Sequence, residues 1–327
     1  MRNNVALIGA GQIGSRHLQG LALSKIPLNI QLIDPSNESL DLARKRYEEV
    51  TPAAEHLLTL HNSINDVFAD IDVAIVATSS NVRRAVVEQL LSTINVKYLI
   101  LEKVLFQKIE DYEAVSKLLV NKNVSAWVNH PRRMQQFYKD LQTEIGTETH
   151  INMNVIGNNW GLACNALHFL DLYAFITSST ELAVNTQCLD AKILDSKRSG
   201  FVEFTGTLTG NDIKGNSYTL SCFDTHIVPT HILFSTPTKR ILINEGDCAD
   251  VLVANEATNW KYELRETFQP LYQSKLSGIL AEDLLSKATC DLPTYNSSSS
   301  LHVSFISALL QHINTITGKI HTTCPIT

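Results

Sequence analysis

Three glycines near the start of the chain, Gly9, Gly11 and Gly14, follow an apolar run that begins at Val5. Their G-x-G-x-x-G spacing, between a predicted strand and a predicted helix, is the arrangement that binds the pyrophosphate of a dinucleotide. The first glycine permits a tight turn, the second lets the backbone approach the phosphates, and the third lets helix and strand pack closely. The N–H groups at the start of the helix, where Gln12 and Ile13 lie, would hold the phosphates.

A carboxylate follows at the distance that ribose recognition requires. Residues 28–33 are predicted to form a strand that ends in Asp34, twenty residues beyond Gly14, where a ribose-binding acid is expected. Asp34 would accept hydrogen bonds from the ribose hydroxyls and would repel a 2′-phosphate, so the sequence favours NAD over NADP. The alternative is that Asp34 only starts the turn with Pro35 and Ser36.

Predicted strands and helices alternate along the first part of the chain, which indicates a doubly wound parallel sheet of the Rossmann type. Further strands are predicted at residues 57–60, 72–77, 98–101 and 124–128. Ligands bind at the carboxyl edge of such a sheet. The polar residues that follow the strands are therefore predicted to contact the cofactor, and they are Thr78, Ser79, Asn81, Glu102, Lys103 and Asn129.

Beyond Pro131 the pattern changes, and β-like runs follow one another with few helices between them. We predict a C-terminal α+β domain with a large, mostly antiparallel sheet that has one broad face free. The domains are expected at residues 1–125 and 126–327. Helices are predicted at 135–144, 163–176, 275–287 and 299–317, strands at 150–156, 201–209, 216–223, 230–235, 239–244 and 249–254, and a polar connector from Asn296 to Ser300.

The composition excludes several classes of protein. The chain has 327 residues, is 44% hydrophobic and 18% charged, and has a net charge of −6, which argues against a nucleic-acid-binding surface. The first strand begins by Val5, which leaves no room for a signal peptide, and no apolar run reaches membrane-spanning length. The six cysteines are scattered, without C-x-x-C pairs or zinc-like Cys/His spacing. We expect a cytoplasmic protein without a metal centre.

Later residues complete a longer pattern, which consists of Gly9-x-Gly11-x-x-Gly14-x-Arg16-His17, the strand end Ala77–Asn81, the pair Glu102-Lys103, Asn129 followed by Arg132-Arg133, and a helix with His168 and Asp171. The chain thereby resembles the glucose–fructose oxidoreductase, inositol dehydrogenase and rhizopine-catabolism (Gfo/Idh/MocA) superfamily of NAD(P)-dependent oxidoreductases. The glycine loop is generic, whereas its combination with Glu-Lys and the later helix is specific.

The resemblance implies roles for three residues in the oxidation of an alcohol, which removes a hydride from carbon and a proton from oxygen. Lys103 would hydrogen-bond the reacting oxygen and exchange its proton. His168 matches a family histidine that faces the same oxygen. Asn165, one helical turn before His168, would orient a hydroxyl. The alternatives are a solvated lysine at a strand end and a histidine satisfied within the core.

Two positions depart from the family pattern. Val104 replaces the proline that usually follows Glu-Lys, which should matter little because the lysine carries the chemistry. Cys164 stands where the family often has an aspartate, four residues before the helix histidine, so the usual proton relay lacks that carboxylate. Arg132 and Arg133 either bind a phosphate or carboxylate of the substrate or are ordinary charges at a helix start.

The expected function is therefore an NAD(H)-dependent oxidoreductase, with NADP less favoured, acting on a hydroxyl or keto carbon of a sugar, amino sugar or sugar nucleotide. Bacterial surface-glycan pathways are one setting that the resemblance implies. The alternatives are a dehydrogenase of another small molecule, a non-catalytic NAD(P)-binding regulator of the same fold, and a scaffold without cofactor. A free sheet face also predicts a homodimer or homotetramer.

Overall fold

The computed structural model describes residues 2–68 and 70–327, which form two compact units. Unit 1 consists of the described residues up to Phe106, together with Glu110–Pro131 and Leu271–Asn296, and unit 2 consists of Gln107–Ile109, Arg132–Pro270 and Ser297–Thr327. The division at residue 125 stays a prediction about domains. In the structure, the strand that follows this position lies in the sheet of unit 1.

Unit 1 contains a parallel sheet of six strands in the order β3-β2-β1-β4-β5-β6. This is the doubly wound order, in which the chain reverses direction across the sheet between β1 and β4 and leaves a crevice for ligands at the carboxyl edge. The strands are β1 Asn3–Ile8, β2 Leu28–Ile33, β3 Leu57–His61, β4 Ile71–Val76, β5 Val96–Leu101 and β6 Ser125–Val128.

The central strands of this sheet are apolar because helices cover both of its faces. The last four residues of β1, β4 and β5 are all buried. The eight helices of the described residues are α1 Gln12–Ala22, α2 Asn37–Glu48, α3 Ser80–Thr93, α4 Ile109–Asn121, α5 Gln136–Ile145, α6 Leu162–Thr177, α7 Gln273–Lys287 and α8 Tyr295–Thr317. Although α7 lies late in the sequence, it packs against α1 within unit 1.

Unit 2 contains an eight-stranded sheet in the order β16-β15-β14-β13-β7-β12-β11-β8, in which only β7 and β12 are parallel neighbours. Alternate residues of its strands are buried, while the residues between them stay half-exposed. One face therefore packs against the core and the other is open. The strands of unit 2 are β7 Asn152–Asn158, β8 Ala183–Leu189, β9 Leu194–Asp195, β10 Val202–Glu203, β11 Gly206–Asn211, β12 Ser217–Phe223, β13 Val228–Ser235, β14 Lys239–Asn244, β15 Ala249–Asn255 and β16 Glu263–Phe268.

The predicted fold class is confirmed, but some elements differ from the prediction. The predicted connector from Asn296 to Ser300 is wrong, because these residues form the first turns of α8. Ser298 is fully buried there, and its carbonyl oxygen lies 2.9 Å from Nδ1 of His302. β8 and β16 were not predicted, since these outermost strands are largely exposed and form at the edges of the sheet.

Within the described part of the chain, none of the helices combines the length and apolar character that crossing a bilayer requires.

The close packing of α1 on β1 leads to a stability prediction. A Cβ added at Gly14 would lie 1.8 Å from the carbonyl oxygen of Gly9, whereas one added at Gly11 would meet no atom within 4 Å. We expect Gly14→Ala to lower the free energy of unfolding by about 1–3 kcal/mol or more. Gly11→Ala, where φ is −65°, should change it by less than about 0.5 kcal/mol. Urea unfolding of both variants measures the difference, and equal stabilities would contradict it.

Candidate functional site

The glycine loop between β1 and α1 forms an open backbone cradle. Gly9 has φ of +99°, a conformation that disfavours side chains, and its N–H donates to the carbonyl oxygen of Ile33 at 2.8 Å. Gly11 is the N-cap of α1, and no side chain caps this helix. The space beside Gly11 is empty of protein atoms. Uncapped N–H groups at a helix start suit a phosphate, so these residues fit the dinucleotide that the sequence predicts.

Asp34 follows β2 directly and contacts this loop. Its Oδ2 accepts a hydrogen bond from the backbone N–H of Ala10 at 2.7 Å, and its Oδ1 accepts one from the N–H of Ser36 at 2.9 Å. The turn that the alternative interpretation proposed is therefore present. A carboxylate has about four acceptor positions, so a half-exposed Asp34 retains capacity for ribose hydroxyls, and that role stays a prediction.

Two buried polar atoms at the carboxyl edge of the sheet have no partner among the described residues. They are Oγ1 of Thr78, which follows β4 closely, and Oδ1 of Asn129, which follows β6. Unpaired buried polar atoms are rare in folded proteins and call for an explanation such as a ligand. Nearby, the Ser79 hydroxyl donates to Oδ1 of Asn81 at 2.7 Å. The predicted cofactor contacts of unit 1 thus lie at one edge of one sheet.

A buried hydrogen-bond network holds the carboxylate of Glu102, which is only 5% exposed. Its Oε1 lies 2.9 Å from Nε2 of His17 and also accepts a hydrogen bond from Nδ2 of Asn129. The same Nδ2 donates to Oε1 of Gln273 at 2.7 Å, while Nε2 of Gln273 lies 3.2 Å from Nδ1 of His17 and donates to the Ser277 hydroxyl at 2.9 Å. The network therefore joins α1, β5, β6 and α7.

The contacts of this network act on the charge of Glu102. Nδ1 of His17 lies 2.9 Å from the Ser277 hydroxyl oxygen and 3.2 Å from Nε2 of Gln273. Burial raises the pKa of Glu102, but the hydrogen bond and charge of His17, the hydrogen bond from Asn129 and the charge of Lys103 outweigh it and hold that pKa below its ordinary value. Glu102 is consequently a buried anion that His17 and Asn129 hold beside Lys103.

Lys103 is half-buried at the end of β5, and its peptide bond to Val104 is cis.

In unit 2, the predicted residues of α6 lie on one helix face. Cys164, Asn165 and His168 are half-exposed, while their helical neighbours are buried. The 3- and 4-residue spacing explains the shared face. The Asn165 Nδ2 donates to the carbonyl oxygen of Trp160 at 2.6 Å, which leaves its amide oxygen for another partner.

Glu203, whose carboxylate caps α6, is a site residue that no sequence pattern predicted. Its Oε2 accepts a hydrogen bond from the N–H of Ala163 at 2.8 Å, and its Oε1 accepts one from the N–H of Cys164 at 3.2 Å. Burial raises the pKa of Glu203, while hydrogen bonds that include the Cys164 thiol lower it in part. A carboxylate thus lies beside Cys164. No local motif signals this contact, because β10 brings Glu203 to the helix from 39 residues away.

The two arginines after Pro131 are paired inside unit 2. Arg132 forms a bidentate pair with Glu245, in which the shorter distance is 2.8 Å, and Arg133 donates to Oδ2 of the fully buried Asp171 at 2.8 Å. Arg132 also lies over the ring of Phe169 at 4.2 Å. These contacts balance both guanidinium charges and do not depend on a substrate anion.

Comparison with known proteins also indicates an NAD-binding Rossmann fold in the first part of the chain. Residues 3–130 match the family model described as an oxidoreductase family with an NAD-binding Rossmann fold (GFO_IDH_MocA). No curated protein matches the chain by comparison of sequences.

Solved structures share the fold across almost the whole chain. An oxidoreductase from Agrobacterium radiobacter, solved with NAD+, L-tartaric acid and magnesium, is 15% identical with a TM-score of 0.73 over 97% of this chain and 99% of that one. UDP-N-acetylglucosamine 3-dehydrogenase from Acidithiobacillus ferrooxidans is 11% identical with a TM-score of 0.68 over 94% and 97%. The transcriptional regulator Gal80p from Kluyveromyces lactis is 16% identical with a TM-score of 0.68 over 96% and 90%.

The lowered pKa of Glu102 predicts an acid-sensitive contribution to stability. Because the folded pKa lies below the ordinary value of 4.5, this contribution is complete above pH 4.5 and is lost as the pH falls through the folded value. Glu102→Gln should cost about 2 kcal/mol at neutral pH and should flatten the decline of stability below pH 4.5. The exposed Glu48→Gln is the matched control. Unfolding curves with the same pH slope for wild type and Glu102→Gln would contradict the prediction.

Proposed function

We propose that the chain is an NAD(H)-dependent dehydrogenase or reductase, since its residues 3–130 match the model of an oxidoreductase family with an NAD-binding Rossmann fold (GFO_IDH_MocA). Its substrate would be a hydroxyl or keto carbon of a sugar, amino sugar or sugar nucleotide. One observation carries the proposal. Lys103, a residue able to exchange a proton, directly follows the buried anion Glu102 at the sheet edge that also holds the glycine loop and the unpaired Oδ1 of Asn129.

The bound cofactor would supply the hydride acceptor or donor. The start of α1 would hold its phosphates, Asp34 its adenosine ribose, and Thr78 and Asn129 its polar groups at the sheet edge. Lys103 would hydrogen-bond the reacting oxygen and exchange its proton.

For unit 2, we propose catalytic roles for His168 and Asn165. His168 would exchange a proton with the substrate, since an imidazole changes charge near neutral pH. Asn165 would accept a hydrogen bond from a substrate hydroxyl through its amide oxygen. A half-exposed polar stripe on an otherwise buried helix supports this assignment. The structural likeness to UDP-N-acetylglucosamine 3-dehydrogenase supports a sugar-like substrate.

A second candidate function is NAD(P) sensing without catalysis. The likeness to the transcriptional regulator Gal80p and the presence of Cys164 at the position of the family aspartate favour it. The Glu102-Lys103 pair favours the enzyme. Turnover decides between them, because a sensor would bind NADH without oxidising or reducing any substrate.

The role of Lys103 can be tested with a substitution that preserves cofactor binding. We expect Lys103→Met to lower kcat by about 10²–10⁴-fold, because it removes general acid–base catalysis, while NADH binding measured by fluorescence persists. Lys97→Met, at an exposed position on the same strand, is the control. Absorbance at the NADH band, followed with a panel of sugars and sugar nucleotides, provides the assay. Tight NADH binding by the wild type with no turnover on this panel would support the sensor.

We propose that the carboxylate of Asp34 makes the protein prefer NAD over NADP. Its removal should weaken NAD binding and improve NADP binding relative to NAD, because a carboxylate favours ribose hydroxyls and repels a 2′-phosphate. Fluorescence titration of Asp34→Ala with NADH and NADPH measures the ratio of dissociation constants, with Asp41→Ala on the exposed side of α2 as control. An unchanged ratio would refute the assignment.

We also propose a homodimer or homotetramer formed through the open sheet face. Directly paired leucines on this face, Leu233, Leu242, Leu252 and Leu264, form an apolar row across β13 to β16. Leu264 is 62% exposed, which is a liability in a monomer. Light scattering that finds only a monomer would remove this proposal.

A cytoplasmic location is proposed because no disulfide joins the six cysteines of the described residues, and cell fractionation tests it.

A further inference from the structure

The backbone that follows Lys103 is buried without belonging to a strand or helix. Val104, Leu105 and Phe106 are all 0% exposed, and they lie between the end of β5 and the start of α4. Buried peptide groups need hydrogen-bond partners, and irregular backbone cannot obtain all of them from regular neighbours. Side chains must therefore satisfy this segment.

Arg83 supplies several of these hydrogen bonds from α3. Its Nη1 donates to the carbonyl oxygen of Leu105 at 3.0 Å and also to that of Val104, and its Nη2 donates to the carbonyl oxygen of Thr78. One guanidinium thus joins the residue that follows β4 closely to the loop that follows β5. The planar, forked geometry of arginine suits several acceptors at fixed angles, which a lysine cannot match.

The burial of Arg83 indicates that this residue is needed for the hydrogen bonds that it donates. Arg83 is 1% exposed and lies on the buried face of α3 with Val87, Leu90 and Leu91. An apolar residue would fill such a position without the cost of removing a guanidinium from water. Replacing its hydrogen bonds would require other donors to the same carbonyl oxygens.

Lys103 is anchored on both sides as a result. On its N-terminal side, His17 and Asn129 hold the Glu102 carboxylate. On its C-terminal side, Arg83 holds Val104 and Leu105. Lys103 is the one half-exposed residue in the stretch from Leu101 to Phe106, so its side chain projects from a backbone that buried contacts restrain.

We propose that Arg83 is a positioning residue, which holds the backbone of Lys103 and the Thr78 strand end in the geometry needed for proton exchange. The inference rests on the proposed role of Lys103. Displacement of a reacting group by about 1 Å costs on the order of 10²-fold in rate, so the contribution of Arg83 is expected in kcat rather than in the affinity for cofactor.

The test compares Arg83→Met and Arg83→Lys with Arg84→Met. Arg84 is the next residue of α3, but its side chain is 36% exposed and pairs with Glu88 at 3.0 Å and with Asp111 of α4, rather than with the Val104 and Leu105 carbonyl oxygens. For folded protein, Arg83→Met should lower kcat by about 10²-fold, with a much smaller change in the NADH dissociation constant. Arg83→Lys, which keeps a cation, should recover part of the loss. Arg84→Met should match the wild type. An unchanged kcat in Arg83→Met, or the same loss in Arg84→Met, would overturn the proposal.

A second measurement does not depend on turnover. Reductive methylation with ¹³C-formaldehyde labels lysine amines, including that of Lys103. The NMR signal that is absent from Lys103→Arg is assigned to Lys103. In Arg83→Lys the Lys103 signal should shift and broaden relative to wild type, while in Arg84→Met it should not. If the wild type lacks turnover but this signal responds as expected, the proposed function fails while the positioning of Lys103 by Arg83 stands. A Lys103 signal identical in wild type and Arg83→Lys would reject the positioning.

Discussion

The buried charge of Glu102 is the constraint on which much of unit 1 depends. A carboxylate that is almost entirely removed from water is stable only if several donors reach it. Those donors come from α1 and from the end of β6, and α7 completes the network through Gln273 and Ser277. Because each partner lies on a different element, satisfying one anion also determines where these elements meet. The same network leaves Oδ1 of Asn129 unpaired at the edge where ligands bind.

Unit 2 shows a related principle at the start of α6. The exposed face of this helix is narrow and polar, and Glu203 binds the N–H groups at its first turn. A negative charge is favourable there because of the helix dipole and the unsatisfied N–H groups. The position usually occupied by an aspartate holds Cys164, yet a carboxylate still lies beside it. The chain thus keeps an acid near this helix face through a residue that is distant in sequence.

The elements that were predicted well are those whose apolar pattern is strong. The strands of the parallel sheet are mostly apolar, and β2 and β14 match the predicted residues from end to end. The errors have physical causes. Ser297 to Ser300 have the composition of a connector, but tertiary contacts bury Ser298 and the segment is helical. The outermost strands β8 and β16 form because neighbouring strands offer backbone hydrogen bonds, which a hydrophobic pattern does not reveal.

The sequence by itself determined the fold class, the glycine loop and the residues that follow each parallel strand, because local spacing and apolar periodicity encode them. Only the tertiary structure decided which partners hold those residues. His17 reaches Glu102 across 85 residues, and Ser277 lies 260 residues from His17. Arg83 had a visible signal, a charge on the apolar face of a helix, but its acceptors are backbone carbonyls that no sequence pattern identifies. Hydrogen bonds between distant segments depend on how the elements pack, and packing is a property of the folded chain.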